Sequence, residues 1–190
     1  QCASEGVGAD CIVRLHADGS ADIVNSYSDM GQGGRNSCRQ MGAESLNLPF
    51  EKVRIVAGDT DSSVFGSCNS CSGGTMKYGW AVYNACQDAL KSLYELAAPL
   101  LDAMPNEVTT EDGMLFLKPD PQTGVPRNNK KIPWINAFWN RGNSYGHPFQ
   151  VIGKANYVAG PGARNEEKAA SFCTLDVDTE TGELLNVKFY

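Results

Sequence analysis

Basic runs, long apolar stretches and histidines are what this sequence most lacks. Its 190 residues carry 16 Lys and Arg against 22 Asp and Glu, a net charge of −6. With no cluster of cations, broad binding to the phosphates of a nucleic acid is excluded. The longest apolar run falls far short of the stretch that a membrane-spanning helix needs. Gln1-Cys2-Ala3-Ser4-Glu5 has neither the basic start nor the apolar block of a signal peptide, and the first residue is not Met. The chain is therefore expected to begin inside a longer product or after processing. With two histidines and seven unevenly spaced cysteines, the chain lacks the four-cysteine spacing of an iron–sulfur cluster. Most of the cysteines read as reduced core residues of a cytoplasmic protein.

What is present is an ordinary globular pattern with punctuated elements. Cys11–His16 and Ala21–Ser26 alternate around Asp18-Gly19, which predicts a β-hairpin over 10–27. Cys38, Met41, Ser45 and Leu48 have helical spacing, so 35–48 reads as a helix that Pro49 ends. Val53–Ala57 reads as a strand running into Gly58-Asp59-Thr60. Val82, Ala85, Ala89, Leu93 and Leu96 form one stripe and predict a long helix over 75–98. Residues 102–148 are the least regular, with a strand-like Met114–Leu117 after Glu111-Asp112-Gly113. Phe149–Val158, Ala169–Val177 and Leu184–Tyr190 read as strands, and Asp120–Gly124 and Asp178–Glu183 as turns. Hairpins mixed with crossover helices predict an α+β (mixed α/β) fold.

Two glycine-rich turns each precede a predicted helix. One is Asp29-Met30-Gly31-Gln32-Gly33 and the other Ser72-Gly73-Gly74-Thr75. Unpaired N–H groups at a helix start carry partial positive charge, so such turns suit a phosphate-like anion. The second turn reads equally as a helix N-cap, because a cap and an anion use the same N–H groups. Two such turns in one domain point to a large cofactor bearing phosphate.

The ordered set Asp29-Met30-Gly31-Gln32-Gly33, Ala43-Glu44-Ser45-Leu46-Asn47-Leu48-Pro49, Val53-Arg54-Ile55-Val56, Gly58-Asp59-Thr60, Ser72-Gly73-Gly74-Thr75 and Gly79-Trp80-Ala81-Val82 resembles the molybdopterin-binding portion of the xanthine oxidase family, the molybdenum hydroxylases. Cys173–Asp178 followed by Thr181-Gly182-Glu183 resembles a later strand and turn of that family. The resemblance spans 1–190 as part of one molybdopterin-binding domain, with 99–148 a variable, insertion-like region. It implies molybdenum held by the dithiolene of a pterin, commonly a dinucleotide, rather than by protein side chains. By position, Met30, Gly31, Gln32 and Gly33 would contact the pterin or lie beside the metal, with Gln32 the one catalytic candidate. Ser72, Gly73, Gly74 and Thr75 would cradle a pyrophosphate, with Cys71 beside them. The implied reaction inserts water-derived oxygen at an electron-poor carbon of an aldehyde or an N-heteroaromatic ring. Electrons would leave through iron–sulfur and FAD partner chains. The family's glutamate base lies in a segment this chain does not contain, since Glu44, Glu51, Glu111, Glu166, Glu167, Glu180 and Glu183 all fall outside the matching motif. The chain thus reads as one piece of a large subunit, either split or a fragment. A non-catalytic anchoring subunit, or a family reductase acting on an aryl thioester, are the alternatives, and tungsten could stand for molybdenum.

Cys68-Asn69-Ser70-Cys71 is a C-x-x-C that a redox dithiol or half a zinc site would use, but no second pair accompanies it. His16 reads as a solvated strand residue and His147 as a candidate for a substrate-channel wall. Trp134, Phe138, Trp139 and Tyr145 read as a satellite core. The strands around 11–27 and 184–190 are expected to leave exposed edges.

Overall fold

The computed structural model describes residues 8–69, 72–128, 130–140, 150–158 and 170–189. In chain order its elements are β1 (Gly8–Leu15), β2 (Ala21–Val24), α1 (Gly34–Leu46), β3 (Val53–Val56), α2 (Gly74–Ala97), β4 (Val108–Glu111), β5 (Met114–Leu117), β6 (Ile132–Pro133), α3 (Trp134–Asn140), β7 (Val151–Val158), β8 (Cys173–Val177) and β9 (Leu184–Phe189). Helices and sheets are mixed, as the punctuation of the sequence requires.

The main sheet has the order β3-β2-β1-β7. β1 and β2 form the expected hairpin, with Val13 opposite Ile23 and Leu15 opposite Ala21. β2 and β3 are parallel, which demands a crossover, and α1 supplies it. β7 returns antiparallel along the whole of β1. The expectation of an exposed edge around 11–27 is therefore corrected: β1 lies between β2 and β7, and β2 between β1 and β3.

One face of this sheet carries the helices. Ala9, Cys11, Val13 and Leu15 of β1 are buried, while the alternate residues Asp10, Ile12 and Arg14 are more exposed. The long helix is as its spacing requires, with Val82, Ala85, Ala89 and Leu93 fully buried. It lies so close to β7 that a Cβ on Gly153 would meet the Ala85 carbonyl oxygen at 2.1 Å. α1 stops earlier than the proline signal suggests, because Asn47 turns left-handed at φ 50 and its N–H bonds back to Ala43 and Glu44. Among the described residues no helix is long and apolar enough to cross a membrane.

Residues 102–148 hold more structure than their composition suggests. β4, β5 and β6 make a second sheet. Asp112-Gly113 closes the β4–β5 turn, and a Cβ on Gly113 would come within 3.3 Å of Gly19 Cα, so the two Asp-Gly turns abut. Trp134 and Phe138 are buried in the same core as the main sheet, not in a satellite. The Trp134 indole N–H donates to Thr110 Oγ1 at 2.7 Å. Trp139 is exposed, and Tyr145 and His147 lie outside the described residues. β8 and β9 form a separate two-stranded hairpin whose residues are all exposed. Asp178 closes it by accepting the N–H groups of Glu180 and Thr181.

Candidate cofactor-binding site

The chain leaves β2 through Asn25 and Tyr27 and enters the turn before α1. There Gly31 and Gly33 take φ of 108° and 73°, values that only glycine adopts freely. A Cβ on either would meet nothing within 4 Å, so the need is conformational and the space beyond is open. Asp29 organises the turn. Its Oδ1 accepts from Gly31 N at 3.0 Å and Gly33 N at 3.2 Å, and its Oδ2 from Arg35 N at 3.3 Å. These backbone donors, Gly31 first, hold its carboxyl below the ordinary carboxylate range. Gln32 is bonded within the turn. Its Nε2 donates to the Ser28 carbonyl at 3.2 Å, and its Oε1 accepts from Met30 N at 2.7 Å. One amide hydrogen and one lone pair remain for another partner. Met30 is 75% exposed.

The second turn differs. Ser72 takes φ 54, Gly73 precedes α2, and no side-chain hydrogen bond caps the helix. The N-cap position is held by Gly73, which has no side chain, so the cap reading of Ser72–Thr75 is not realised there, and among the described residues no carboxylate is bonded to the first N–H groups of the helix. Cys71 lies outside the described residues.

The structure brings the two helix starts to one place. Tyr27, 3% exposed, fills the gap between them. A Cβ on Gly34 would sit 2.5 Å from Tyr27 Cζ, and one on Gly74 only 2.4 Å from its hydroxyl oxygen, so both helices need glycine there. Tyr27 stacks on Tyr78 of α2 with ring centroids 4.5 Å apart. The Tyr78 hydroxyl donates to the Ser67 carbonyl at 2.9 Å. The loop before α2 also reaches the first turn directly. Asn69 Nδ2 donates to the Ser28 carbonyl at 2.7 Å and contacts Ser28 Oγ at 2.8 Å, so Gln32 and Asn69 share one acceptor. Among the described residues Asn69 Oδ1 has no hydrogen-bond partner.

Beside the first turn lies an open groove of about 550 Å³, lined by Asp29, Arg35, Asn36, Arg39, Arg54 and Glu51 among others. Its cations are engaged. Arg35 Nε donates to the Tyr27 carbonyl, Arg39 bonds the Val53 carbonyl and lies over the Phe50 ring, and Arg54 clamps Asp22 through two hydrogen bonds. His16 also pairs with Asp22, Nε2 to Oδ2 at 3.2 Å, rather than standing alone in solvent. Arg54, before all else, holds the Asp22 carboxyl below its ordinary range.

Among the described residues, no group of three or more His, Cys, Asp or Glu side chains is placed to hold a metal ion. Cys11, Cys38 and Cys86 are buried as expected, and burial pushes the Cys38 and Cys86 thiols up to about 12. Cys68 and Cys173 are exposed, so three of the five cysteines described as free are core residues, in keeping with the reading of most as buried. Sequence reasoning missed Ser28, Asn69 and Lys77. Ser28 and Asn69 are 41 residues apart and leave no local signal. Lys77 did leave one, since it stands four residues before Ala81 and eight before Ala85, on the buried stripe of α2.

The sequence profile of the molybdopterin cofactor-binding domain matches residues 2–190. A probable hypoxanthine oxidase of Escherichia coli is 25% identical over 182 residues, covering 96% of this chain and 18% of that protein. The carbon monoxide dehydrogenase large chain of Hydrogenophaga pseudoflava is 24% identical over 191 residues, covering 100% of this chain and 23% of that one. The crystal structure of a Cu,Mo-CO dehydrogenase superposes with a TM-score of 0.65 at 20% identity, over 94% of this chain and 22% of that one, and so shares its fold. The chain spans about a fifth of the length of these curated relatives.

Proposed function

Because this chain belongs to the molybdopterin cofactor-binding domain of the xanthine oxidase family, we propose that it holds the pterin and pyrophosphate of a molybdenum cofactor within a larger oxidoreductase. One observation carries this reading: the loop that leads towards α2 is bonded, through Asn69, to the Ser28 carbonyl that also holds Gln32. The donor set fits such a group. Backbone N–H groups of Gly74 and Thr75 and the hydroxyls of Ser72 and Thr75 would hold a pyrophosphate, where no carboxylate among the described residues caps the helix. Gly31 and Gly33, with open space where side chains would stand, leave room for the pterin against the backbone.

When bound, the molybdenum cofactor supplies Lewis-acid activation of water and accepts two electrons from the substrate. The chain's own part is to fix the cofactor and to aim Gln32. Ser28 and Met30 orient the Gln32 amide from both ends, and its remaining N–H is free to donate to a ligand oxygen beside the metal. The substrate is an aldehyde or an electron-poor N-heteroaromatic ring. Electrons pass to iron–sulfur and FAD partner chains, and the general base comes from outside these 190 residues. The unreactive buried thiols of Cys11, Cys38 and Cys86 suit work in the cytoplasm.

Elemental analysis of the natively purified complex tests the first half, and molybdenum with iron is the expected result. An intact complex with neither molybdenum nor tungsten would overturn it. Gln32→Ala tests the second half. A catalytic Gln32 lowers kcat by about 10²–10³ with molybdenum content unchanged, whereas a purely anchoring turn leaves kcat near wild type.

A further inference from the structure

Lys77 breaks two local rules at once. It is 1% exposed, yet among the described residues no carboxylate pairs with it. Among the described residues its ammonium donates to neutral oxygens alone, Ser67 Oγ at 3.1 Å and the Cys68 carbonyl at 2.5 Å. A buried cation without a counter-charge is strongly unfavourable. It also stands in the first turn of α2, its N–H bonded to the Gly73 carbonyl, at the end of the helix that already carries positive partial charge. A cation is disfavoured there. The Ala81 and Ala85 positions of the same stripe show that the helix buries small apolar residues without difficulty. Two unfavourable placements of one charge, both beside an uncapped helix start, are what a missing anion would reverse.

We propose that Lys77 is a buried counter-charge for the phosphate-bearing cofactor, acting from behind the Ser67–Cys68 segment rather than by contact. This rests on the cofactor reading given above. The side chain holds that segment by two hydrogen bonds, so the charge is fixed in place before the cofactor arrives. Its field adds to that of the helix start, and low-dielectric surroundings keep it from being screened as a surface lysine would be. The role is one of positioning and electrostatics, with no proton transferred and no bond formed.

The test separates charge from hydrogen bonding. Lys77→Gln keeps a donor able to reach the loop oxygens but removes the charge, and Lys77→Met removes both while preserving side-chain length. Molybdenum and phosphorus per chain are measured in the purified complex, and the thermal midpoint is measured after the cofactor is stripped. Both variants are expected to retain about tenfold less molybdenum and phosphorus, while the stripped Lys77→Gln protein melts within about 2 °C of stripped wild type or above it. Lys77→Gln protein loaded like wild type would show that only the loop hydrogen bonds matter and would overturn the proposal. So would a stripped Lys77→Gln protein melting far below stripped wild type, since the charge would then serve the fold. Wild-type complex free of molybdenum and tungsten would instead defeat the cofactor reading itself.

Discussion

The two helix starts that meet at Tyr27 are built from similar glycine turns and end in opposite electrostatic states. At α1, Asp29 spans the turn and its carboxylate takes the N–H groups of Gly31, Gly33 and Arg35. At α2, the N-cap residue Gly73 offers no side chain, and the buried Lys77 ammonium stands one turn in. One start is satisfied by its own chain, and the other is the one we propose to receive an anion. The difference teaches that a glycine-rich turn before a helix does not by itself define an anion site. What defines it is whether the chain has already supplied the negative charge.

Substitutions at four positions break or sharpen this contrast. The largest effect is expected where the two starts are most alike, in their shared dependence on Tyr27. Gly34→Ala or Gly74→Ala forces a methyl into the tyrosine ring or hydroxyl, and either should destabilise the fold by about 1–3 kcal/mol in denaturant titration. A neutral result at Gly74 with a large one at Gly34 would show that Tyr27 can yield on the α2 side. Next, Ser72→Asp places a carboxylate at α2 much as Asp29 stands at α1. Ser72 is already left-handed at φ 54, a conformation that Asp tolerates. The variant should stay folded and lose about tenfold in cofactor content, roughly the effect of one opposing charge at close range. Ser72→Asn, with the same shape and no charge, should retain far more. Equal losses in both would mean that the Ser72 hydroxyl, not the charge balance, is what matters.

How much of this was legible in the residues differs from one element to the next. The β1–β2 hairpin declared itself because clear alternation flanks Asp18-Gly19. Asp112-Gly113 is the same dipeptide, yet β4 before it, Val108–Glu111, has a single apolar residue and is only four residues long, so it carries no readable period. α3 places Trp134, Ala137 and Phe138 on the core, a single helical turn of evidence in a seven-residue helix. Its burial is decided by the second sheet it packs beside. At the site, both glycine turns were visible, because glycine marks positive φ. The sequence left open whether Ser72–Thr75 was capped, and only the absence of a side-chain bond in three dimensions decides that. Asn69 meeting Ser28 is a tertiary contact with no local trace. Asp29 was visible as a residue but not as the carboxylate that closes the α1 start.

The smallest expected effect comes from opening that start. Asp29→Asn keeps an oxygen that can accept from Gly31 or Gly33 but removes the charge that suits the helix end. Because its backbone partners lower the Asp29 pKa in the folded state, the carboxylate's contribution to stability is fully present above the unfolded value of about 4 and is lost as pH falls through the folded value. The stability gap between wild type and Asp29→Asn should therefore be steady near neutral pH and close in acid, as followed by denaturant titration across that range. The carboxylate is solvent-exposed, so the gap should also narrow as salt is added. A gap that ignores both pH and salt would assign Asp29 a geometric role in the turn alone. The contrast between the two helix starts would then rest entirely on the uncapped end of α2 and the lysine beneath it.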